Sequence, residues 1–145
     1  REKELQNKKV KVQMEAGVRE PMIRGDLEQV KQVFFNVIGN AIDAIPEGSE
    51  IRIVSGLDEN FVFAQIVDQG SGIAKENISR VFEPYFTTKK SGHGIGMMIV
   101  HRIMRDHNGE VGIDSKEGSG TIVTLKFPRK TPHLQLLESP LNIKE

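Results

Sequence analysis

Two asparagines and an aspartate recur at helical spacing in the segment "QVFFNVIGNAIDAI". Asn36 and Asn40 are four residues apart, and Asp43 follows three residues later. In an α-helix, side chains at these separations share one face. Asparagine is less favourable than alanine in a helix interior by about 0.5 kcal/mol, so a chemical reason for two of them is worth considering. Amide oxygens bind hard cations and amide nitrogens donate to phosphate. This polar line of Asn36, Asn40 and Asp43 therefore indicates either the solvent-facing side of a helix or a site for a metal-bound phosphate.

A second chemical candidate is the aspartate that ends the apolar segment "FVFAQIVD". Asp68 is followed by "QGSGI", which places Gly70 and Gly72 directly after it. A carboxylate in this position can accept a hydrogen bond from an exocyclic amine, and glycines allow a flat ring to approach the backbone. An ordinary Asp-initiated turn has the same residues. Both interpretations stay open on this segment alone.

Three alternating glycines precede a second apolar segment. Gly92, Gly94 and Gly96 lead into "MMIVHRIM". The N-terminus of a helix exposes unpaired amides and the positive end of its dipole, and glycine lets a phosphate come close to them. The spacing matches neither a Walker loop nor the Rossmann fingerprint. The pattern indicates a polyphosphate-binding loop or a flexible hinge.

Hydrophobic periodicity predicts the elements that position these residues. The predicted helices are 26–45, 75–82 and 94–107, and the predicted strands are 10–15, 50–57, 61–68, 110–115 and 121–128. Asp26 is the expected N-cap of the first helix. The expected core-facing stripe of that helix is Leu27, Val30, Phe34, Val37, Ile38, Ala41 and Ile45. Because the later strands pair as hairpins, we expect an antiparallel-rich sheet with helices on one face.

Composition excludes several classes of protein. The 145 residues carry 20 Lys and Arg against 20 Asp and Glu, so no overall field attracts nucleic acid or anionic lipid. The absence of cysteine excludes disulfides and thiol catalysis. No apolar run is long enough to span a bilayer, and no signal peptide opens the chain. Because the first residue is Arg1 rather than methionine, we expect a fragment or a processed chain.

Taken in order, these motifs resemble the ATP-binding catalytic domain of sensor histidine kinases. That family belongs to a wider group with DNA gyrase, the Hsp90 chaperones and the MutL proteins. The resemblance covers 10–128 and includes "NVIGNA", "DQGSG", "FEPYFTTK", "GHGIGM" and "GSGT". It implies an α+β fold, a two-layer α/β sandwich whose mixed, mostly antiparallel sheet is covered on one face by about three helices (the Bergerat fold). We expect a linker at 1–9, the catalytic domain at 10–128 and a C-terminal tail at 129–145.

The resemblance also implies residue roles. Asn40 is similar to the family's magnesium ligand, and Asn36 to its helix partner; with Lys89 they form the expected catalytic set. Asp68 is expected to accept from the adenine amine. Phe82 and Phe86 resemble the packing anchors of a lid. The residues expected around the nucleotide are Asn40, Asp43, Asp68, Gly70, Gly72, Ile73, Phe82, Thr87, Thr88, Lys89, Gly92, His93, Gly94, Ile95, Gly96, Met97 and Thr121.

Some positions depart from the family pattern. Asp43 stands where many members have a lysine that contacts phosphate, so Lys89 or Lys90 is the expected substitute. His93 replaces a small residue and either donates to phosphate or simply belongs to the lid. The segments "FTTKK" and "NAIDAI" are more similar to kinases of the nitrogen-regulation and oxygen-sensing type.

The implied activity is phosphoryl transfer from Mg-ATP to a histidine on a separate dimerisation domain, and then to a response regulator. His101, His107 and His133 lack the acidic neighbour of an acceptor histidine, so the acceptor is expected outside this chain. Expected partners are the homodimeric dimerisation domain and the receiver domain of a response regulator, with no nucleic acid and no direct membrane contact. We expect a cytoplasmic domain, whether or not its parent protein is membrane-anchored.

Three alternatives remain open at this point. One is an ATPase of the gyrase, Hsp90 or MutL kind, in which the position of Asn36 is a glutamate that activates water. Another is a serine/threonine kinase of the anti-sigma type. The last is a nucleotide sensor without enzymatic activity.

Overall fold

The computed structural model describes residues 11–16, 22–83 and 96–129. Its elements are β1 (Lys11–Ala16), α1 (Leu27–Ala44), β2 (Glu50–Leu57), β3 (Phe61–Asp68), α2 (Lys75–Ile78), α3 (Gly96–Asp106), β4 (Glu110–Lys116) and β5 (Gly120–Pro128). All five predicted strands are present, each within one residue of its predicted ends. The helix predicted at 94–107 is present as α3, and its first two predicted residues lie outside the described ranges.

The five strands form one sheet in the order β1-β2-β3-β5-β4. β1 runs parallel to β2, and the other three pairs are antiparallel. The β2–β3 connection is held by the Asp58 side chain, which accepts from the amides of Asn60 and Phe61 at 2.9 and 2.7 Å. These two bonds hold the pKa of Asp58 below its ordinary value. The mixed, mostly antiparallel sheet expected from the sequence is confirmed.

Both long helices pack on one face of the sheet, as expected for a two-layer sandwich. Side chains along β3 alternate between buried and half-buried, so only one face of this central strand is fully covered. The short α2 lies beside β4. The buried core is Val33, Val37, Ala41, Ile42, Ile45, Ile51, Ile66, Val100, Ile103, Met104, Val123, Leu125 and Phe127.

The predicted stripe of α1 is wrong at its first residue. Leu27 is 66% exposed, whereas Val33 and Ile42, which the stripe omitted, are buried. Leu27 lies on the buried side of the helix by angle, but it belongs to the first turn. That turn is level with the end of α3, because the backbone of Asp26 contacts His107. No further turn of α3 is there to cover it.

The short helix is also shorter than predicted. Helical residues run over Lys75–Ile78 instead of 75–82. After this helix, the backbone amide of Arg80 donates to the carbonyl of Asn77 at 2.9 Å. The backbone amide of Glu83 donates to the carbonyl of Arg80, also at 2.9 Å. These bonds span three residues rather than four, so the chain continues as tight turns.

Candidate functional site

A row of four side chains crosses the sheet at one end. Ser115 on β4 pairs with Thr121 on β5, Thr121 pairs with Asp68 on β3, and Asp68 pairs with Ile51 on β2. Residues opposite each other on paired strands have side chains on the same face. Ile51 is fully buried in the core, so the row faces the helices. Asp68 and Thr121, both predicted site residues, therefore lie side by side.

The carboxylate of Asp68 is buried and already accepts two hydrogen bonds. It is 6% exposed, and its Oδ1 accepts from the amide of Gly70 at 2.9 Å. The amide of Thr121 also donates to it. Burial raises the pKa of Asp68, and these two bonds oppose the shift. Because both protein partners are donors, the carboxylate's remaining capacity toward a ligand is as an acceptor.

The loop after Asp68 packs tightly against protein backbone. A Cβ atom on Gly70 would lie 2.5 Å from the carbonyl oxygen of Ala44, at the end of α1. Gly72 has a φ of +71° and lies against the carbonyl of Lys116. The amide of Ser71 donates to Ala44, and the amide of Gly118 donates to Ser71 at 2.7 Å. The loop itself needs these glycines in order to fit between α1 and the β4–β5 turn.

At the other side of the site, Asn36 contacts the first residue of α3. Its Nδ2 donates to the carbonyl of Gly96 at 3.2 Å. α1 therefore connects the two halves of the site, since Asn36 meets α3 and Ala44 meets the Asp68 loop. Eight residues separate these two contacts, or about 12 Å along the helix axis. Asn40 lies midway between them and is half-buried, as Asn36 is.

The other predicted residues are placed as follows. Asp43 is exposed, Ile73 is half-buried and donates its amide to Ser115, and Met97 is half-buried against the core. The ring of Phe82 lies 5.2 Å from that of His101 on α3. Phe86, Thr87, Thr88, Lys89, Lys90, Gly92, His93, Gly94 and Ile95 lie outside the described residues.

Ser115 was not predicted from the sequence, yet it lies against two of the predicted site residues, Ile73 and Thr121. Its Oγ lies 2.8 Å from the amide of Ile73, the carbonyl of Gly120 and Oγ1 of Thr121. The predicted strand pair 110–115 and 121–128 contained a usable signal. Once Thr121 is a candidate, the residue opposite it across the hairpin is Ser115.

Within 11–16, 22–83 and 96–129, no three His, Cys, Asp or Glu side chains are grouped as a metal site. Over the same ranges, no helix combines the length and the apolar character that crossing a bilayer requires.

Comparison with known proteins shows the family. Residues 25–131 match the family described as histidine kinase-, DNA gyrase B- and HSP90-like ATPase, and the chain belongs to it. Sporulation kinase A of Bacillus subtilis (strain 168) is 39% identical over 108 residues, which are 74% of this chain and 18% of that protein. Sensor histidine kinase ZraS of Escherichia coli (strain K12) is 37% identical over 116 residues, 77% of this chain and 25% of that protein.

Solved structures agree with these relatives. The catalytic domain of histidine kinase ThkA superposes with a TM-score of 0.80 at 28% identity, over 88% of this chain and 84% of that one. The resemblance to the ATP-binding domain of sensor histidine kinases is thereby confirmed. This chain spans about a quarter or less of the two curated relatives described above.

Proposed function

We propose that this domain binds Mg-ATP between the Asp68–Thr121 pair and the start of α3, and transfers the γ-phosphoryl group to a histidine on a separate dimerisation domain. The observation that carries the proposal is that α1 links two sites: at Ala44 it contacts the loop that follows the buried acceptor Asp68, and at Asn36, about 12 Å away along its axis, it contacts the N-terminus of α3. A base with an exocyclic amine suits the first site, and phosphates suit the second.

Asp68 selects the base in this proposal. Its buried carboxylate accepts from the adenine amine, and guanine would place a carbonyl oxygen at that position instead. Two acceptors then face each other without a proton between them. Leaving such groups unpaired costs roughly 1–3 kcal/mol, enough to separate ATP from GTP.

Magnesium suits the middle of the site. Mg²⁺ takes few protein ligands and binds mainly through water and substrate phosphate oxygens. Asn40 lies midway between the two ends and provides one amide oxygen. When bound, the ion neutralises charge on the phosphates. Lys89, Lys90 and His93 are the remaining candidates for phosphate contact, and Asp43 is too exposed and of the wrong charge for that role.

Transfer requires positioning more than proton chemistry. A nitrogen of the acceptor histidine bonds to the γ-phosphorus while the bond from that phosphorus to the leaving oxygen of ADP breaks, and orientation with charge neutralisation lowers the barrier. Asn36 holds the carbonyl of Gly96 through its amide nitrogen. An amide cannot take a proton from water at neutral pH. This favours a kinase over an ATPase that needs a general base at this position.

The proposed partners follow from the class of relatives. Those relatives include sporulation kinases and sensor kinases much longer than this chain. We therefore place the acceptor histidine on a dimerisation domain of a homodimeric parent protein, with a response regulator as the next acceptor, in the cytoplasm. The ATPase, the serine/threonine kinase and the nucleotide sensor remain the competing functions.

Incubation with γ-labelled ATP and Mg²⁺ separates these functions. The chain should bind ATP, hydrolyse it very slowly and carry no label itself. Addition of a dimerisation domain that carries the acceptor histidine should produce a phosphate that is acid-labile and base-stable. An acid-stable phosphate on serine or threonine would favour the anti-sigma type, and binding without any transfer would favour the sensor. Steady turnover of ATP by this chain alone, abolished in Asn36→Ala, would assign it to the ATPases.

A further inference from the structure

Ser115 joins three separate parts of the candidate site through one oxygen atom. Its half-buried Oγ lies 2.8 Å from the amide nitrogen of Ile73, in the loop after β3. It also lies 2.8 Å from the carbonyl oxygen of Gly120 and 2.8 Å from the hydroxyl oxygen of Thr121. A serine hydroxyl has one hydrogen to donate and two lone pairs. Three contacts therefore use its whole capacity.

The direction of each bond follows from counting hydrogens. The carbonyl of Gly120 has none, so Ser115 must donate its only hydrogen there. The amide of Ile73 donates to Ser115. The contact with Thr121 is a hydrogen bond only if Thr121 donates, because Ser115 has no second hydrogen to give. The hydroxyl hydrogen of Thr121 is thereby committed to Ser115.

This commitment changes what Thr121 can offer to a ligand. Thr121 is 9% exposed and lies opposite Asp68 on the same face of the sheet. With its hydrogen held by Ser115, Thr121 keeps only lone pairs. Asp68 already accepts from two amides and likewise has no hydrogen to give when ionised. The two side chains together form a site of acceptors without a donor.

We propose that Ser115 is a specificity-determining positioning residue, which orients the Thr121 hydroxyl so that the base site accepts purines with an amino group at C6 and rejects those with an oxo group at C6. The proposal rests on the proposed function, since it concerns the same nucleotide site. Without Ser115, the Thr121 hydroxyl is free to rotate and donate to the carbonyl oxygen of hypoxanthine or guanine. Discrimination by the base site then weakens.

The test measures the ratio of the ITP and ATP dissociation constants for the full 145-residue chain with Mg²⁺. Ser115→Ala should lower the preference for ATP about three- to tenfold, the range expected for one redirected hydrogen bond. Ser115→Thr keeps a hydroxyl and should restore the wild-type preference. In a Thr121→Val background, Ser115→Ala should leave the ratio unchanged, because there is no hydroxyl left to redirect.

A purely structural role for Ser115 predicts different results. Looser packing of the loop, the turn and β5 would weaken ATP and ITP by the same factor, and that outcome would overturn the proposal. An equal drop in the ratio with and without the Thr121 hydroxyl would overturn it as well. If Ser115→Ala does not fold, Ser115→Cys takes its place, since a thiol is a weak donor and acceptor.

Failure of the proposed function has a separate signature. A wild-type chain that binds neither ATP nor ITP, or whose affinity is indifferent to Asp68→Asn, would remove the adenine site itself and this proposal with it. A wild-type chain that prefers ATP, loses that preference in Asp68→Asn and keeps it in Ser115→Ala would retain the function and refute the role of Ser115.

Discussion

The backbone amide of Asp26 donates a hydrogen bond to Nε2 of His107, over 3.0 Å. The other ring nitrogen of His107, Nδ1, lies 2.8 Å from the carbonyl of Ile103 and must donate to it. These two contacts fit the tautomer with its hydrogen on Nδ1 and its lone pair on Nε2. Asp26 is also the N-cap of α1, with its side chain accepting from Gln29 at 3.1 Å. The start of α1 is thus tied to the end of α3, and the two helices run antiparallel.

This contact predicts different effects for two substitutions of His107. The amide of Gln reaches the position of Nε2 and can still accept from Asp26. The shorter Asn imitates Nδ1 and cannot reach Asp26. We expect His107→Asn to lower the free energy of unfolding by about 1 kcal/mol more than His107→Gln does, the typical value of one hydrogen bond. Urea unfolding monitored by circular dichroism measures both. Equal losses would mean that the bond to Asp26 contributes nothing.

Asp68 should control the choice between ATP and GTP. We expect wild type to prefer ATP by about ten- to a hundredfold, equivalent to roughly 1.5–3 kcal/mol for a buried charge-assisted bond. Asp68→Asn should lose most of that preference, because an amide can donate to the guanine carbonyl. Titration by calorimetry gives the affinities. Asp114→Asn is the matched control, since Asp114 is exposed on β4. Equal wild-type affinity for both nucleotides would contradict the assignment.

The buried carboxylate of Asp68 should also make the stability of the nucleotide-free chain depend on pH. Burial raises the pKa of Asp68 above its ordinary value of 3.8, so the folded chain holds this proton to a higher pH than the unfolded chain does. The protonated group stabilises the fold fully below 3.8, and this contribution is lost as pH rises through the raised pKa. The unfolding free energy of wild type minus that of Asp68→Asn should therefore fall as pH rises above 3.8. A difference that grows with pH would show that hydrogen bonding outweighs burial.

Gly70, in the loop after Asp68, and Gly112, on β4, should differ in their tolerance of a side chain. Gly70→Ala would place Cβ 2.5 Å from the carbonyl oxygen of Ala44, a backbone atom that cannot move alone. We expect Gly70→Ala to lower the free energy of unfolding by about 1–3 kcal/mol, which is typical of overpacking. ATP binding should weaken as well, because the nearby Asp68 shifts. Gly112→Ala is the control, since nothing lies within 4 Å of its Cβ position. Melting temperatures of the two variants decide the matter, and similar values would refute the packing argument.

Local patterns were sufficient for much of the fold. β2 and β3 were predicted at their observed bounds, because alternating side chains end at a turn that Asp58 caps. The length of α2 was not predictable in the same way, since four helical residues and the following tight turns have similar apolar spacing. Exposure of Leu27 depends on where α3 ends, which the periodicity of α1 does not contain.

The candidate site was likewise predictable only in part, from local motifs and not from contacts between distant segments. Asp68 and Thr121 were singled out by motif, and their pairing in the sheet agrees with a shared site. Ser115 was missed because its contacts with Ile73, Gly120 and Thr121 form only when the loop after β3 folds onto the β4–β5 hairpin. The two glycines after Asp68 were interpreted through a ligand, whereas the structure gives them a packing role within the protein. A motif names residues, but contacts between distant segments decide what each one does.

Asn36 offers the sharpest test of how α1 supports the proposed phosphate end of the site. Its side-chain amide donates to the carbonyl of Gly96, so removing the donor should let the start of α3 move away from α1. Asn36→Ala is expected to weaken ATP binding about two- to tenfold, the range for loss of one neutral hydrogen bond.

Asn36→Asp should weaken ATP binding more than Asn36→Ala does, because its carboxylate faces the Gly96 carbonyl and adds negative charge where phosphates are proposed to bind. Gln32→Ala, at an exposed position four residues before Asn36 on α1, is the control and should bind ATP as wild type does. Affinities measured at two salt concentrations separate the two causes: the extra loss in Asn36→Asp should shrink at high salt, since position 36 is only half-buried and salt screens charges that solvent reaches. An aspartate variant that binds ATP as well as wild type would show that the Asn36–Gly96 contact does not support the site.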